Sequence, residues 1–208
     1  MRLSPKKEPK AQDQRPGAET LLIGYGTLLY RGSLGQSIGA TAAESRPITS
    51  VIVRGYKRLF NLRPQHYQSS NKVNAGGIEL GAMNVEPSSG SSFNAVAIPV
   101  NARELEILDQ RERYYRRATT PVHDFSAGDP VGLGHVYAAE PGSNWVERDI
   151  RKLLPRWQDI EWARTGAYAI SHAFGQYYDA TTYLADGETL MIEFYRQHLS
   201  NAQDLALP

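Results

Sequence analysis

Residues 21–29, Leu-Leu-Ile-Gly-Tyr-Gly-Thr-Leu-Leu, open the first apolar segment of the chain and decide how the rest is read. Leu21, Leu22 and Ile23 form a short hydrophobic run, and Gly24-Tyr25-Gly26 ends it. A brief apolar run closed by glycines predicts a buried strand entering a tight turn. A glycine-rich stretch, Arg31 to Ala40, follows. Residues 48–62, ITSVIVRGYKRLFNL, are β-branched and aromatic and predict a long strand or a bent pair. Residues 66–77, HYQSSNKVNAGG, have the composition of a loop. Residues 77–85 and 94–100, GIELGAMNV and NAVAIPV, predict two strands joined by the turn-rich Glu86-Pro87-Ser88-Ser89-Gly90-Ser91. One helix is predicted in their midst, ARELEILDQRE over 102–112. Asn101 is placed as its N-cap and Glu104 as the capping-box partner. Residues 119–125 and 132–139 are the next strand candidates. From 145 to 175 the spacing turns helical, broken at Pro155, and residues 187–199 predict a last helix. Strands first, one embedded helix and a helical C-terminal third argue an α+β fold rather than regular βαβ alternation.

The 208-residue length predicts one domain. Its expected limits are 19–200, with 145–200 a mainly helical extension that could form a small appended subdomain. Residues 1–18 are polar, carry Lys6, Lys7 and Lys10, and are interrupted by Pro5, Pro9 and Pro16; they predict a flexible tail. Residues 201–208 predict a C-terminal tail. No apolar stretch suits a secretory signal or a transmembrane helix, and a cytoplasmic location is expected.

Lys and Arg number 23 against 22 Asp and Glu, a formal charge of +1. That balance gives no electrostatic reason to expect a nucleic acid or an anionic membrane as partner. Cysteine is absent. Disulfides, cysteine-ligated metals, iron–sulfur clusters and a thiol nucleophile are thereby excluded. The Gly24-Tyr25-Gly26 turn lacks the third glycine of a dinucleotide fingerprint, and Glu44 follows no second strand. No phosphate-binding loop and no G-x-S-x-G elbow occurs. His66, His123, His135, His172 and His198 form no paired ligand spacing, so neither metal nor cofactor is expected. Tyr114-Tyr115, Tyr177-Tyr178 and Tyr183 could stack bases, but no basic stripe accompanies them, and packing explains them better.

Two features remain. On the embedded helix Ala102, Leu105 and Leu108 share a stripe that continues to Asp109 and Glu112. Glu112 projects within about 20° of Leu105 at 3.6 residues per turn. A carboxylate on a core-facing stripe must be paired, protonated or used, and desolvation would push its pKa toward the range of a general acid/base. The other reading is that the helix has ended and Glu112 sits in water or pairs with Arg111, Arg113, Arg116 or Arg117. Separately, the turn at Gly26 can expose successive backbone N–H groups as an anion-binding nest, or be an ordinary strand-to-loop turn.

Together these residues give the chain a resemblance to the gamma-glutamylcyclotransferase-like superfamily. It is carried by Ile23-Gly24-Tyr25-Gly26-Thr27-Leu28, Val53 to Phe60, Ala75-Gly76-Gly77-Ile78, Leu108-Asp109-Gln110-Arg111-Glu112 with Tyr114-Tyr115-Arg116-Arg117, and His135-Val136-Tyr137. It spans Leu21 to about Glu140, and the C-terminal third resembles the family only loosely. The resemblance implies a small mixed β-barrel with no cofactor. It implies a cyclotransferase converting a gamma-glutamyl amine or peptide to 5-oxoproline, a transferase or lyase type of activity close to glutathione metabolism. Glu112 would be the catalytic acid/base. Tyr25, Gly26, Thr27 and Leu28 would hold the gamma-glutamyl group through backbone amides. Tyr137 would fix the carboxylate or the substrate, and Tyr115 would line the pocket. Many members have Tyr-Gly-Ser-Asn where this chain has Tyr-Gly-Thr-Leu, and glycine where it has Arg113. The expected partner is a small gamma-glutamyl molecule. Contacts to the leaving group are expected from loops 64–76 and 176–187. A non-catalytic binding domain on the same fold, or hydrolysis or transfer at the same site, are the other readings.

Overall fold

Five strands close on one another into a barrel. In the computed structural model, which describes residues 20–63, 74, 77–140 and 142–205, they are β1 (Thr20–Gly24), β2 (Thr49–Leu62), β3 (Glu79–Val100), β4 (Arg116–Asp124) and β5 (Pro130–Ala138). Their order is β3-β1-β5-β4-β2, and β2 pairs back onto β3 to complete the ring. β1 and β5 run parallel, with Leu21 opposite Gly134, and the other pairs of the ring are antiparallel. Two short strands extend it: β6 (Leu153–Pro155) lies parallel to β3, and β7 (Thr182–Tyr183) parallel to β2. The α+β reading and the mixed barrel are thus found. The expected N-terminal tail, 1–18, and nearly all of the 66–77 loop lie outside the described residues.

β3 departs from expectation. Residues 79–100 form one strand rather than two joined by a turn. β2 pairs with both halves: Arg54 faces Ser92, Tyr56 faces Pro87, and residues 88–91 bulge opposite Gly55. Gly55 and Gly90 both have φ of +78°, a backbone that favours glycine. The bulge begins directly after Pro87, a residue with no N–H to give to the ladder. The turn-rich composition therefore marks a bulge between two halves of a bent strand.

The glycine-rich stretch after the first turn is helical, a second departure. α1 (Arg31–Ile38) and α2 (Ala40–Ser45) follow one another through Gly39, whose φ is +92°. Glycines at 32 and 35 weaken helical preference, and packing overrides it: Ser33 and Leu34 are buried, and a Cβ on Gly35 would sit 3.2 Å from Ala40 Cα.

α3 (Ala102–Arg111) is the predicted embedded helix, and its cap is the predicted one. Glu104 N–H donates to Asn101 Oδ1 (3.0 Å), and Asn101 N–H donates to Glu104 Oε2 (2.9 Å). Arg46 pairs with Glu104 and donates to Pro99 O (3.0 Å), fixing the start of α3 to the end of β3. Of the expected stripe, Leu108 is fully buried and Leu105 partly buried, while Ala102 is exposed.

The C-terminal third holds α4 (Trp157–Ile170), α5 (His172–Ala180) and α6 (Met191–Leu205). Residues 145–152 are turns, irregular chain and a bridge at Val146 rather than helix, and α6 runs past residue 200. Ile160, Ala163, Ala167, Phe174 and Tyr178 share one hydrophobic cluster with Leu22, Ile23, Phe60 and Ile98 of the barrel. Among the described residues, no helix is long and apolar enough to cross a membrane.

Candidate active site

After β1 the chain makes a single 3-10 turn, Thr27–Leu29. Leu29 N–H donates to Gly26 O and Tyr30 N–H to Thr27 O, each at 3.0 Å. The preceding N–H groups, those of Gly26, Thr27 and Leu28, begin a helical turn and have no acceptor inside it. Gly26 is packed against Met83: a Cβ there would lie 3.3 Å from its sulfur. The turn is held from behind by α4. At Gly166 a Cβ would sit 2.4 Å from the carbonyl carbon and oxygen of Leu29, so only glycine permits this approach of helix to turn.

The turn forms one side of a cavity of about 600 Å³. All seven residues expected at the site line it: Tyr25, Gly26, Thr27 and Leu28 from the turn, Glu112 and Tyr115 from the end of α3, and Tyr137 from β5. Sequence separation brings none of these groups together; barrel closure does.

Glu112 is the first residue beyond α3, and its N–H donates to Leu108 O (2.8 Å). It therefore keeps the rotational position that the helix would have given it. Its side chain is 18% exposed and its Oε1 lies 3.1 Å from Arg111 Nε. Both sequence readings of Glu112 are met in part, since it faces the cavity and is paired with an arginine. Burial pushes its pKa up and the Arg111 charge pulls it down, with burial the larger effect.

The tyrosines are committed to protein partners. Tyr25 OH donates to Tyr137 O (2.6 Å) and Tyr115 OH to Met83 O (2.6 Å). Tyr137 OH donates to Asp109 Oδ1 (2.7 Å), whose other oxygen accepts from Arg117 (2.6 Å). Tyr137 thus fixes Asp109 rather than Glu112. Burial raises the pKa of Tyr25, Tyr137 and Tyr178 well above the ordinary phenol range, so all three stay protonated near neutrality.

Arg58, within the aromatic stretch of β2, is the largest fully buried side chain among the described residues. It donates to Thr182 Oγ1 (2.8 Å), Asn94 O (2.7 Å), Asn94 Oδ1 (3.0 Å), Tyr178 O (3.2 Å) and, more weakly, Tyr25 O (3.4 Å). Its guanidinium carbon stands 4.0 Å over the Tyr178 ring. Burial lowers its pKa to about 10, so it remains a cation near neutral pH. Arg58 ties the C-terminal helices to the barrel directly beneath the turn. A basic residue inside an apolar strand was the only sequence sign of it.

The rest of the lining was not foreseen. Ser33, Gln36 and Ser37 come from α1, and Gln158, Asp159 and Trp162 from α4, with Arg156 just before it. The expected leaving-group loops do not supply it: nearly all of 64–76 lies outside the described residues, and 176–187 contributes nothing to this cavity. Among the described residues, no cluster of three or more histidines and carboxylates could hold a metal.

No protein-family model and no curated protein matches the sequence. Solved structures do match the fold. An uncharacterized protein from Homo sapiens superposes with a TM-score of 0.58 at 16% identity, over 78% of this chain and 88% of that one. A gamma-glutamyl cyclotransferase superposes with a TM-score of 0.57 at 15% identity, over the same shares, 78% and 88%. YkqA from Bacillus subtilis gives 0.53 at 15% identity, over 76% of this chain and 52% of that one. With the closed five-stranded barrel and the glycine turn at its mouth, these likenesses give the chain the gamma-glutamyl cyclotransferase-like fold.

Proposed function

We propose that the protein cyclises a gamma-glutamyl amine or peptide to 5-oxoproline, with Glu112 as general acid/base and the amides of Gly26, Thr27 and Leu28 as the anion-binding group. The observation that carries this reading is that Glu112 and the glycine turn line the same cavity of about 600 Å³. The substrate's α-ammonium gives a proton to Glu112. The freed amine attacks the γ-carbonyl carbon, forming the ring C–N bond. The ring nitrogen gives its second proton to solvent, the bond to the original amide nitrogen breaks, and Glu112 returns its proton to that departing nitrogen, leaving the neutral lactam and the free amine. No cofactor enters the balance. Because nucleophile and carbonyl belong to one molecule, holding it curled supplies roughly 7–11 kcal/mol. Proton transfer by a placed carboxylate adds about 10²–10⁴-fold. A cytoplasmic setting and a small-molecule partner accompany this reading.

The test is 5-oxoproline release over a panel of gamma-glutamyl compounds with wild type and Glu112→Gln. Glu112→Gln keeps the shape and removes the base, and turnover should fall at least about a hundredfold. The Arg111–Glu112 pair favours a second reading, a binding domain without turnover. Binding of a panel compound with no product from wild type would select it.

A further inference from the structure

We propose that α4 selects the leaving amine, and that the site takes gamma-glutamyl amides whose amine carries an aromatic ring seated against Trp162. The proposal rests on the cyclisation reading. A gamma-glutamyl group held between the turn and Glu112 occupies only one end of the cavity. The remaining wall is built by α1 and α4, with Trp162 its one large aromatic surface from the C-terminal third.

Trp162 also lines a second, more open cavity of about 630 Å³ together with Tyr30, Tyr168 and Tyr195. Trp162 therefore borders both the reaction cavity and an aromatic groove beside it. Tyr30, the residue that ends the glycine turn, stacks on the Trp162 indole with ring centroids 6.0 Å apart and planes 25° apart. The indole is held in place by the backbone. Gly166 lies four residues later on the same face of α4, in the contact with Leu29 that no larger residue allows. Trp162 is thereby fixed beside the turn that would hold the reacting carbonyl.

The guanidiniums around the indole are paired. Arg156 pairs with Asp159 on the cavity side, and Arg164 pairs with Asp179 (2.8 Å) on the groove side. Glu161 stands at the exposed edge of the groove. Each guanidinium is matched by a carboxylate, so neither sets the charge of the amine, and the flat face of the indole is what remains to recognise it. A flat ring gains apolar contact with the indole, and a short alkyl amine gains none of it.

The experiment compares gamma-glutamyl anilide with gamma-glutamyl methylamide. Binding to Glu112→Gln is measured by calorimetry, and kcat/KM for 5-oxoproline release is measured with otherwise wild-type protein. Each is repeated with Trp162→Ala and Trp162→Phe, both checked for an unchanged circular dichroism spectrum. The anilide should bind at least about tenfold more tightly. Trp162→Ala should reduce the anilide-to-methylamide ratio, in binding and in kcat/KM, by about tenfold. Trp162→Phe should retain most of it. Comparing ratios between variants cancels the greater intrinsic reactivity of the anilide. Equal binding of the two amides, or a ratio that Trp162→Ala leaves intact, overturns the proposal. Anilide preference in binding without 5-oxoproline from either compound overturns the cyclisation reading and leaves the α4 assignment standing.

Discussion

Arg111 Nε lies 3.1 Å from Glu112 Oε1, and the same guanidinium holds the glycine turn. Nη1 donates to Ser33 O (3.0 Å) and Ser37 Oγ (2.7 Å), and Nη2 to Thr27 Oγ1 (3.2 Å) and Ser33 Oγ (3.0 Å). The two Nη groups thus make four hydrogen bonds, while Nε forms the ion pair with Glu112. The cation therefore joins the proposed acid/base to the segment that would bind substrate. Removing the charge lets burial act unopposed on Glu112, whose other close titratable neighbours are the neutral phenols of Tyr25 and Tyr137. Arg111→Gln should move the acid limb of kcat/KM to higher pH. Arg111→Lys, which keeps the charge, should hold the limb near its wild-type position while lowering kcat. A pH–rate series on the three proteins checks both.

Glu112 also makes stability depend on pH. Its folded pKa is raised above the ordinary carboxylate value. The folded state thus binds the proton more tightly than the unfolded chain does. The stability this contributes is fully present below the unfolded pKa and is lost as pH rises through the folded one. Glutamine does not ionise. Glu112→Gln should therefore melt at a higher temperature than wild type at pH 7, and the gap should close on acidification below about pH 4, the ordinary carboxylate range. Paired thermal melts across pH 3.5–7.5 measure it.

Gly166 has no room for a side chain. A Cβ would fall 2.4 Å from the Leu29 carbonyl, which is backbone and cannot swing aside. Gly166→Ala should destabilise the protein by about 1–3 kcal/mol through overpacking. It should also lower kcat/KM more than the stability loss explains, because α4 must move away from the turn. Denaturant unfolding and initial rates on the same samples separate the two effects.

Arg58→Lys preserves the buried cation and removes its fork of donors. A lysine ammonium has three donors on a flexible stem and cannot serve Thr182, Asn94, Tyr178 and Tyr25 together. Each hydrogen bond to a charged group is worth about 1.5–3 kcal/mol, so a loss of at least about 2 kcal/mol is expected in urea unfolding. An unchanged midpoint would show that the donor fork carries no stability.

The strands β1, β2, β4 and β5 were legible because their signals are local: apolar runs, β-branched residues and the turns that bound them. The capping box of α3 was legible for the same reason, since Asn101 and Glu104 satisfy each other within one turn. Glu112 could be placed by periodicity because the helix ends only one residue before it. α1 could not be read. Its glycines oppose a helix, and burial of Leu34 against the rest of the molecule decides in its favour. The Glu86–Ser91 stretch has turn composition, yet only β2 lying across it makes it a bulge.

The same division holds at the site. Residue type and spacing singled out the glycine turn and the carboxylate at 112, and the family resemblance added the tyrosines at 115 and 137. Only the closed barrel decided that they share one cavity, because β1 pairs with β5 across more than a hundred positions and the turn and Glu112 meet at the same space. The far wall was decided wholly by tertiary packing. Trp162 carries no signal along the chain that points to a site, and it reaches the cavity because a glycine one turn later lets its helix rest on the backbone of Leu29.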